Sequence, residues 1–427
     1  MRRALILMGL TGLNTVVVFA YQWFVVTRLG ASIGTDALFA GMVVPQLVLS
    51  VVSGSLVFVL VPMLSVISEA QRGVAVSSFV AALAIVFGGL AAALWVLAPW
   101  WVPITLPGFS VEAIAQTIVL TRIQLVGMCF AGLATPLSAA YQARGRFVTP
   151  ATCALVASTA ALVIVVALLE SWGVVAAAWG LSARHIIQFG LQLPAALPVV
   201  RPDFRHERVR DALRKLRPLI AGTTYYKTDQ LLDRFLASMA PLGTLSLLHL
   251  AQQMYAAASQ VLINAVAAPI VPRLSAHALA GRLEAFNRDM LKALKELFAW
   301  GCAVFLVVVL LGRPAFDLMF GFGVFDAQDV EQLWVIMLAL GLVWFSGLAG
   351  HVFSTSFYAA ADTLTPTRIG VIGFTVGIPL KVAGFYLYGV VGIALATGIF
   401  AAGNAFAMHL VLRNRIRNGS VFNNDFR

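Results

Sequence analysis

"FVLVPMLS", residues 58–65, closes an apolar run that begins near residue 35. Far along the chain "VAAPIVPRLS", residues 266–275, closes another that begins near residue 244. The echo of "VPMLS" in "VPRLS" does not stand alone. "TRLGAS" (27–32) ends the first apolar run, and "DRFLAS" (233–238) ends the seventh. A Tyr followed by Thr-Pro (Tyr141, Thr149, Pro150) bridges the fourth and fifth runs, and Tyr358, Thr365 and Pro366 bridge the tenth and eleventh. The three pairs keep their order and a near-constant spacing of roughly 210 residues, which is the signature of an internal repeat. The chain therefore reads as two tandem halves, 1–200 and 218–427, joined by a basic linker at 201–217.

Each half holds six apolar runs. They lie near 4–27, 35–67, 75–99, 113–141, 148–169 and 173–200, and then near 218–240, 244–272, 293–312, 330–359, 369–388 and 390–412. A helix needs about 20 apolar residues to cross some 30 Å of hydrocarbon, and these runs have that length. Composition agrees, since 60% of the 427 residues are hydrophobic and only 11% are charged, with a mean hydropathy of +0.91. A soluble domain carries about 25% charged residues. The fold class is thus an all-α polytopic membrane protein of about twelve spans. Six spans per half keep the orientation of the repeat, so the halves are expected to form two lobes related by a pseudo-two-fold along the membrane normal, in a V. Pro45 and Pro62 predict a kink in the second span. The first run, behind Arg2 and Arg3, exceeds 20 residues and has no small-residue cleavage site, so it reads as a retained span.

The net charge of +11 invites a nucleic-acid reading, but the placement of the charge argues against one. Most Lys and Arg fall in the segments that share a side with the N-terminus, including Arg72, Arg144, Arg146, Arg208, Arg282, Arg288, Arg368 and Arg415. That bias puts both termini in the cytoplasm, with anionic-lipid contact as a secondary role for the charge. Within "LSAHALAGRLEAFNRDMLKALKEL", Leu279, Leu283, Phe286, Met290 and Leu294 recur at helical spacing and predict an interfacial helix. Cys129, Cys153 and Cys302 are isolated in apolar runs and suggest neither disulfide nor metal.

The charges inside the spans are the candidates for function, because each costs roughly 2.5–3.5 kcal/mol to insert and so faces a cavity or a partner. "YYKTDQLLDRFL", residues 225–236, gathers Lys227, Asp229, Asp233 and Arg234 in the seventh run. At helical spacing Thr223, Lys227, Gln230 and Arg234 share one face, and Tyr226, Asp229 and Asp233 share the next. Arg184 lies near mid-depth, with Arg122 and Lys381 nearer the outside and Lys381 free to extend outward. His185, His351 and His409 read as packing histidines. There is no nucleotide-binding P-loop, nucleophile elbow or zinc spacing, so neither an enzyme nor a cofactor or metal is expected.

Several segments resemble one family. "GTDALFAGMVVPQL", "APWWVPITLPGF", "LTRIQ", "ARGRFVTPA" and "AWGLSARHIIQFGLQLP" are similar in type and order to the MviN/MurJ family of lipid II flippases. So are "LLDRFLAS", "VAAPIVPRLS", "FYAAADTLTPTRIGVI" and "GVVGIALATGIFAAGN". The resemblance covers essentially the whole chain. It implies a V-shaped transporter whose cavity is lined by spans one, two, seven and eight and which moves undecaprenyl-pyrophosphate-linked sugars to the outer leaflet. The chain departs from the pattern at three cation positions. Leu49 and Ser50 stand near the family's span-two arginine pair, Gln252 and Gln253 replace an Asp-Arg, and Thr15 and Tyr21 lie near the lost span-one arginines. Two C-terminal helices common in the family are also absent from the twelve-span reading. Asp36, Arg122, Asp233 and Arg234 match family positions.

The reading that follows is an inner-membrane flippase for an undecaprenyl-(pyro)phosphate-linked saccharide, lipid II or another envelope precursor, working by alternating access. Its substrate-binding candidates are Lys227, Arg234, Arg184, Arg122, Gln252, Gln253 and Asn264. Asp36, Asp229, Asp233 and Arg28 are the coupling or gating candidates. The expected partners are the lipid-linked saccharide, membrane lipids and envelope polymerases or glycosyltransferases. Two alternatives are a degenerate, non-transporting partner of an envelope-synthesis complex and a drug–cation antiporter.

Overall fold

Apolar runs of this length become helices because a helix satisfies its own backbone donors and acceptors where no water can. The computed structural model describes residues 2–196, 224–267, 270–321 and 323–418, and every regular element among them is helical. In the first unit these are α1 (Arg2–Leu29), α2 (Ile33–Gly41), α3 (Val43–Ser65), α4 (Glu69–Thr105), α5 (Val111–Ala143), α6 (Val148–Trp172), α7 (Val174–Gln192) and α8 (Asp229–Ala237). There follow α9 (Thr244–Leu262), α10 (Val271–Leu279), α11 (Leu283–Phe320), α12 (Ala327–Ala339), α13 (Gly341–Ala359) and α14 (Leu364–Arg417). Among the described residues eight helices are long and apolar enough to cross a membrane, or nine if the bent pair Thr244–Val266 and Val271–Leu279 is one span. The 54-residue α14 is two helices, because Gly389 at φ +60° breaks it. With α2–α3 and α12–α13 taken as bent spans, helices fall on all twelve expected runs. Residues 197–200 of the sixth run, 218–223 of the seventh and the linker 201–217 with Arg208 lie outside the described residues.

Packing divides the chain into Met1–Ser246 and Leu247–Arg427. The seventh run, with α8, thus packs in the first unit, where it touches α3 and α4.

In the first unit α5 is the central helix, against α2, α3, α4 and α7. Its side chains repair two defects that prolines leave in neighbouring spans. Pro45 has no N–H to give the carbonyl four residues back, that of Gly41, and the second span is interrupted at Met42. Thr121 Oγ1 donates to Gly41 O at 3.3 Å, and Gln124 Nε2 donates to Leu38 O at 3.1 Å. Pro99 likewise withholds an N–H from Trp95 O in α4, and Arg122 Nε donates to that oxygen at 3.2 Å. Pro62, by contrast, lies inside the continuous α3. The core between α3, α4 and α5 is apolar, built on Leu56, Leu60, Leu64, Phe79, Phe87, Leu125, Met128 and Leu137.

In the second unit tryptophans join helix to helix. Trp334 Nε1 donates to Val308 O at 2.9 Å and Trp344 Nε1 to Gly301 O at 3.1 Å, tying α12 and α13 to α11. At the turn before α14, Asp362 accepts from Leu364 N, Thr365 N and Thr365 Oγ1 at 3.0, 2.9 and 2.6 Å. It also accepts from Arg415 Nη1 at 2.6 Å, near the far end of α14.

Two expectations are corrected here. The amphipathic stretch 279–294 is not a separate interfacial helix: a turn at Gly281 ends α10, and the remainder forms the first turns of α11. Phe286 and Met290 are buried as expected, but Ala293 and Leu297 complete that face, while Leu279 is 91% exposed at the turn. Lys381 does not extend outward. It is fully buried, its Nζ 5.4 Å from the centre of the Phe400 ring.

Candidate functional site

The four ionisable groups of 225–236 separate into two environments. Residues 224–227 are helical, Thr228 forms a turn, and α8 starts at Asp229. Lys227 is half-buried, and its Nζ donates to the backbone carbonyl of Ser50 in α3. Ser50 and Gly54, one turn apart on α3, are both exposed, and Gly54 carries no side chain to keep the ammonium away. No carboxylate lies within ion-pair distance of Lys227 among the described residues. Its hydrogen-bond partner is therefore neutral, and its positive charge is available to an anion. The residues that Lys227 meets, Ser50 and Gly54, belong to span two.

Arg234 and Asp233 are buried, 6% and 4% exposed, at the other end of α8. They join Asp36, itself 4% exposed, and Arg234 stands in the electrostatic field of both acids. Asp36 Oδ2 accepts from Gly243 N at 2.7 Å, and Oδ1 accepts from Ser246 N at 2.8 Å and from the Ser246 hydroxyl. One carboxylate thus caps the first turn of α9 from another span, and a helix N-terminus favours a negative charge there. Gly243 has φ +83°, and a Cβ at that position would lie 2.6 Å from Ala31 O. Gly108 N donates to Ser238 Oγ at 3.3 Å, so the turns after α1, α4 and α8 meet at this end.

Arg184 sits on α7 beside Tyr21 of α1 and His185. The Tyr21 hydroxyl donates to Ala177 O, which fixes α1 against α7. Arg184 Nε is buried without a hydrogen-bond partner among the described residues. The cation thus lies next to an aromatic hydroxyl, with no carboxylate within ion-pair distance among the described residues.

The remaining candidates are dispersed. Arg122 packs on Trp95, with Cζ 4.2 Å from the ring centre, and Arg28 is exposed above Phe24 at 5.6 Å. Asp229 is half-buried in the first turn of α8. Gln252, Gln253 and Asn264 belong to the second unit and are half-buried on or just after α9, with Gln260 Nε2 donating to Asn264 Oδ1 at 3.0 Å. His409 lies against Phe353, the two rings tilted with their centres 5.4 Å apart. The sequence reading passed over Gly243 and Ser246. "PLGTLS" (241–246) carries the signal, a Pro-Leu-Gly turn followed by Thr and Ser where a helix begins.

With this geometry in place, comparison with known proteins assigns the chain. The family model "Lipid II flippase MurJ" matches residues 25–423. The chain belongs to the MurJ family. A lipid II flippase MurJ of Burkholderia cenocepacia is 26% identical over 97% of this chain and 84% of that protein. A probable lipid II flippase MurJ of Vibrio cholerae is 27% identical, but the match spans 52% of this chain and 43% of that relative. A solved structure of a lipid II flippase MurJ in an inward closed conformation has a TM-score of 0.85 at 16% identity, covering 98% of this chain and 90% of that one. An inward-facing MATE-family multidrug transporter has a TM-score of 0.73 at 16% identity, over 97% of this chain and 94% of that one. These two show the fold, which this MurJ-family chain shares with multidrug exporters. The chain is a multi-pass membrane protein of a flippase family.

Proposed function

We propose that this chain moves an undecaprenyl-diphosphate-linked saccharide, lipid II or a related envelope precursor, across the bacterial inner membrane by alternating access. Lys227 then serves as a principal contact for the diphosphate. One observation carries the reading: the Lys227 ammonium reaches the backbone of Ser50, near the place where the family pattern has span-two arginines. The chain lacks those arginines, yet a cation arrives at the same part of span two from span seven. A charge-assisted contact to phosphate is a strong one, and a site of low dielectric strengthens it further. Arg184, beside Tyr21 on span one, supplies a second cation near a second lost arginine position. The Asp36 cap on Gly243 and Ser246, within the first unit, serves in this reading to hold the turn before α9 in place.

Export of a lipid-linked saccharide, measured with membrane abundance, tests the proposal in three variants. Lys227→Ala is expected to abolish transport at near-normal abundance, because removing a cation held by a carbonyl strands no buried acid. Lys227→Arg is expected to retain part of the activity. If Lys227 served only to neutralise Asp229, its removal would strand a buried charge at a cost of about 3–5 kcal/mol. Abundance would then fall with activity, and Lys227→Ala with Asp229→Ala would restore both. Full transport by stable Lys227→Ala protein ends the diphosphate role.

A further inference from the structure

Arg122 is placed with more care than a lone surface arginine needs. Pro99 leaves the Trp95 carbonyl without its helical donor, and Arg122 Nε takes that donor's place at 3.2 Å. The guanidinium lies over the Trp95 ring, Cζ 4.2 Å from its centre. These two contacts fix the plane of the group and occupy one nitrogen and one face. Neither terminal nitrogen has a protein partner among the described residues. Their common edge is the one that pairs bidentately with a phosphate.

The surroundings are bilayer-facing. Trp95, Val96 and Trp100 on α4 are 48%, 57% and 64% exposed, and Val119, one turn before Arg122 on α5, is 49% exposed. Such a belt of apolar side chains in a membrane protein meets lipid. Depth can be read from α4, whose 37 residues extend about 55 Å. That exceeds some 30 Å of hydrocarbon, so each end of a centred helix projects about 12 Å beyond it. Trp95 lies ten residues, about 15 Å, before the Thr105 end, at the boundary between hydrocarbon and head groups where Trp concentrates.

We propose that Arg122, held on Trp95, forms a phospholipid head-group site on the bilayer-facing seam of α4 and α5, taking the phosphate of an anionic phospholipid on its terminal nitrogens. The occupant is a bulk phospholipid rather than the transported molecule. The exposed side chains beside the cation, Trp95, Val96, Trp100 and Val119, are surfaces for acyl chains rather than for a saccharide. It is also separate from Lys227, and the proposal stands whether or not the chain transports.

Native mass spectrometry of the purified, delipidated protein titrated with phosphatidylglycerol provides the test. Arg122→Gln is expected to weaken the tightest bound phosphatidylglycerol about tenfold, with Arg122→Lys between the two. Arg122 also caps the Trp95 carbonyl, so a second variant guards against misfolding. Pro99→Ala with Arg122→Gln restores a backbone donor to that carbonyl and is expected to fold normally while binding the lipid as weakly as Arg122→Gln. Unchanged phosphatidylglycerol affinity in either variant overturns the proposal. So does displacement of the lipid by millimolar inorganic phosphate, which would mark a free-anion site. Loss of undecaprenyl diphosphate binding with phosphatidylglycerol binding intact would assign the surface to the transported lipid instead, and overturn it equally.

Discussion

Asp362 shows how much a single carboxylate can hold at a membrane boundary. It accepts from two backbone amides, the Thr365 hydroxyl and Arg415, joining the start of α14 to its far end. Burial alone would raise its pKa, but the hydrogen bonds from Thr365 and Arg415 outweigh that and hold the carboxyl below the usual carboxylate range. A depressed folded-state pKa adds stability that is fully present above the unfolded value, about 3.9, and is lost as pH falls through the lower folded value. The melting-temperature gap between wild type and Asp362→Asn should therefore stay constant from pH 7 to pH 5 and narrow only below about pH 4. A gap that closes between pH 7 and 5 would assign the effect to another group. Asp36 makes a parallel case within the bilayer. Asp36→Ala leaves the Gly243 and Ser246 amides buried without an acceptor, at about 1–3 kcal/mol each, whereas Ser246→Ala removes only a hydroxyl. Thermal unfolding in detergent should rank Asp36→Ala well below Ser246→Ala, and equal effects would contradict the cap. The sequence made Asp36 visible as a charge in a span. It did not reveal the partners, because they come from a turn more than two hundred residues away.

Helix breaks were partly legible for the same reason that their repair was not. Pro45 announces a lost N–H, since proline chemistry is local, and the second span is indeed broken, at Met42. Which side chain would serve the freed Gly41 carbonyl depends on the crossing of α5, and Thr121 in "LTRIQ" has no local mark of that task. The lysine of span seven follows the same logic. Its charge within an apolar run pointed to a site, but its contact with Ser50 depends on how the span packs on α3. The repair of Pro45 is testable by a double-mutant cycle. Thr121→Val alone removes the donor to Gly41 O and should cost about 0.5–1.5 kcal/mol. In a Pro45→Ala background the backbone N–H restored by the substitution can take that carbonyl, so Thr121→Val should cost clearly less. Additive costs in the two backgrounds would show that Thr121 and Pro45 do not share the Gly41 carbonyl.

At the scale of the whole chain, the apolar runs were the most legible feature, because membrane thickness imposes one length on every span. What the runs do not fix is the side on which each turn lies, and for that the basic bias offers an expectation to be tested. Arg72 and Arg144, both bridged by Glu69, gather at the turns after α3 and α5. On the proposed orientation, which the bias supports, this end is cytoplasmic and the turns after α1, α4 and α8 are external. Single-cysteine labelling with a membrane-impermeant maleimide on spheroplasts checks the assignment, and the structure decides which positions can report. Gly108, an obvious probe at the tip after α4, is unusable, because a Cβ there would lie 2.3 Å from Ser238 O. Val111, 87% exposed at the start of α5, replaces it, and Leu279, 91% exposed at the end of α10, is expected to report on the opposite side. Cys302 is exposed and must be removed first, with Cys129 and Cys153 replaced for a clean background. Val111→Cys should then label in intact spheroplasts and Leu279→Cys only after lysis. The reverse pattern would invert every span and place the Asp36 cap at the cytoplasmic end.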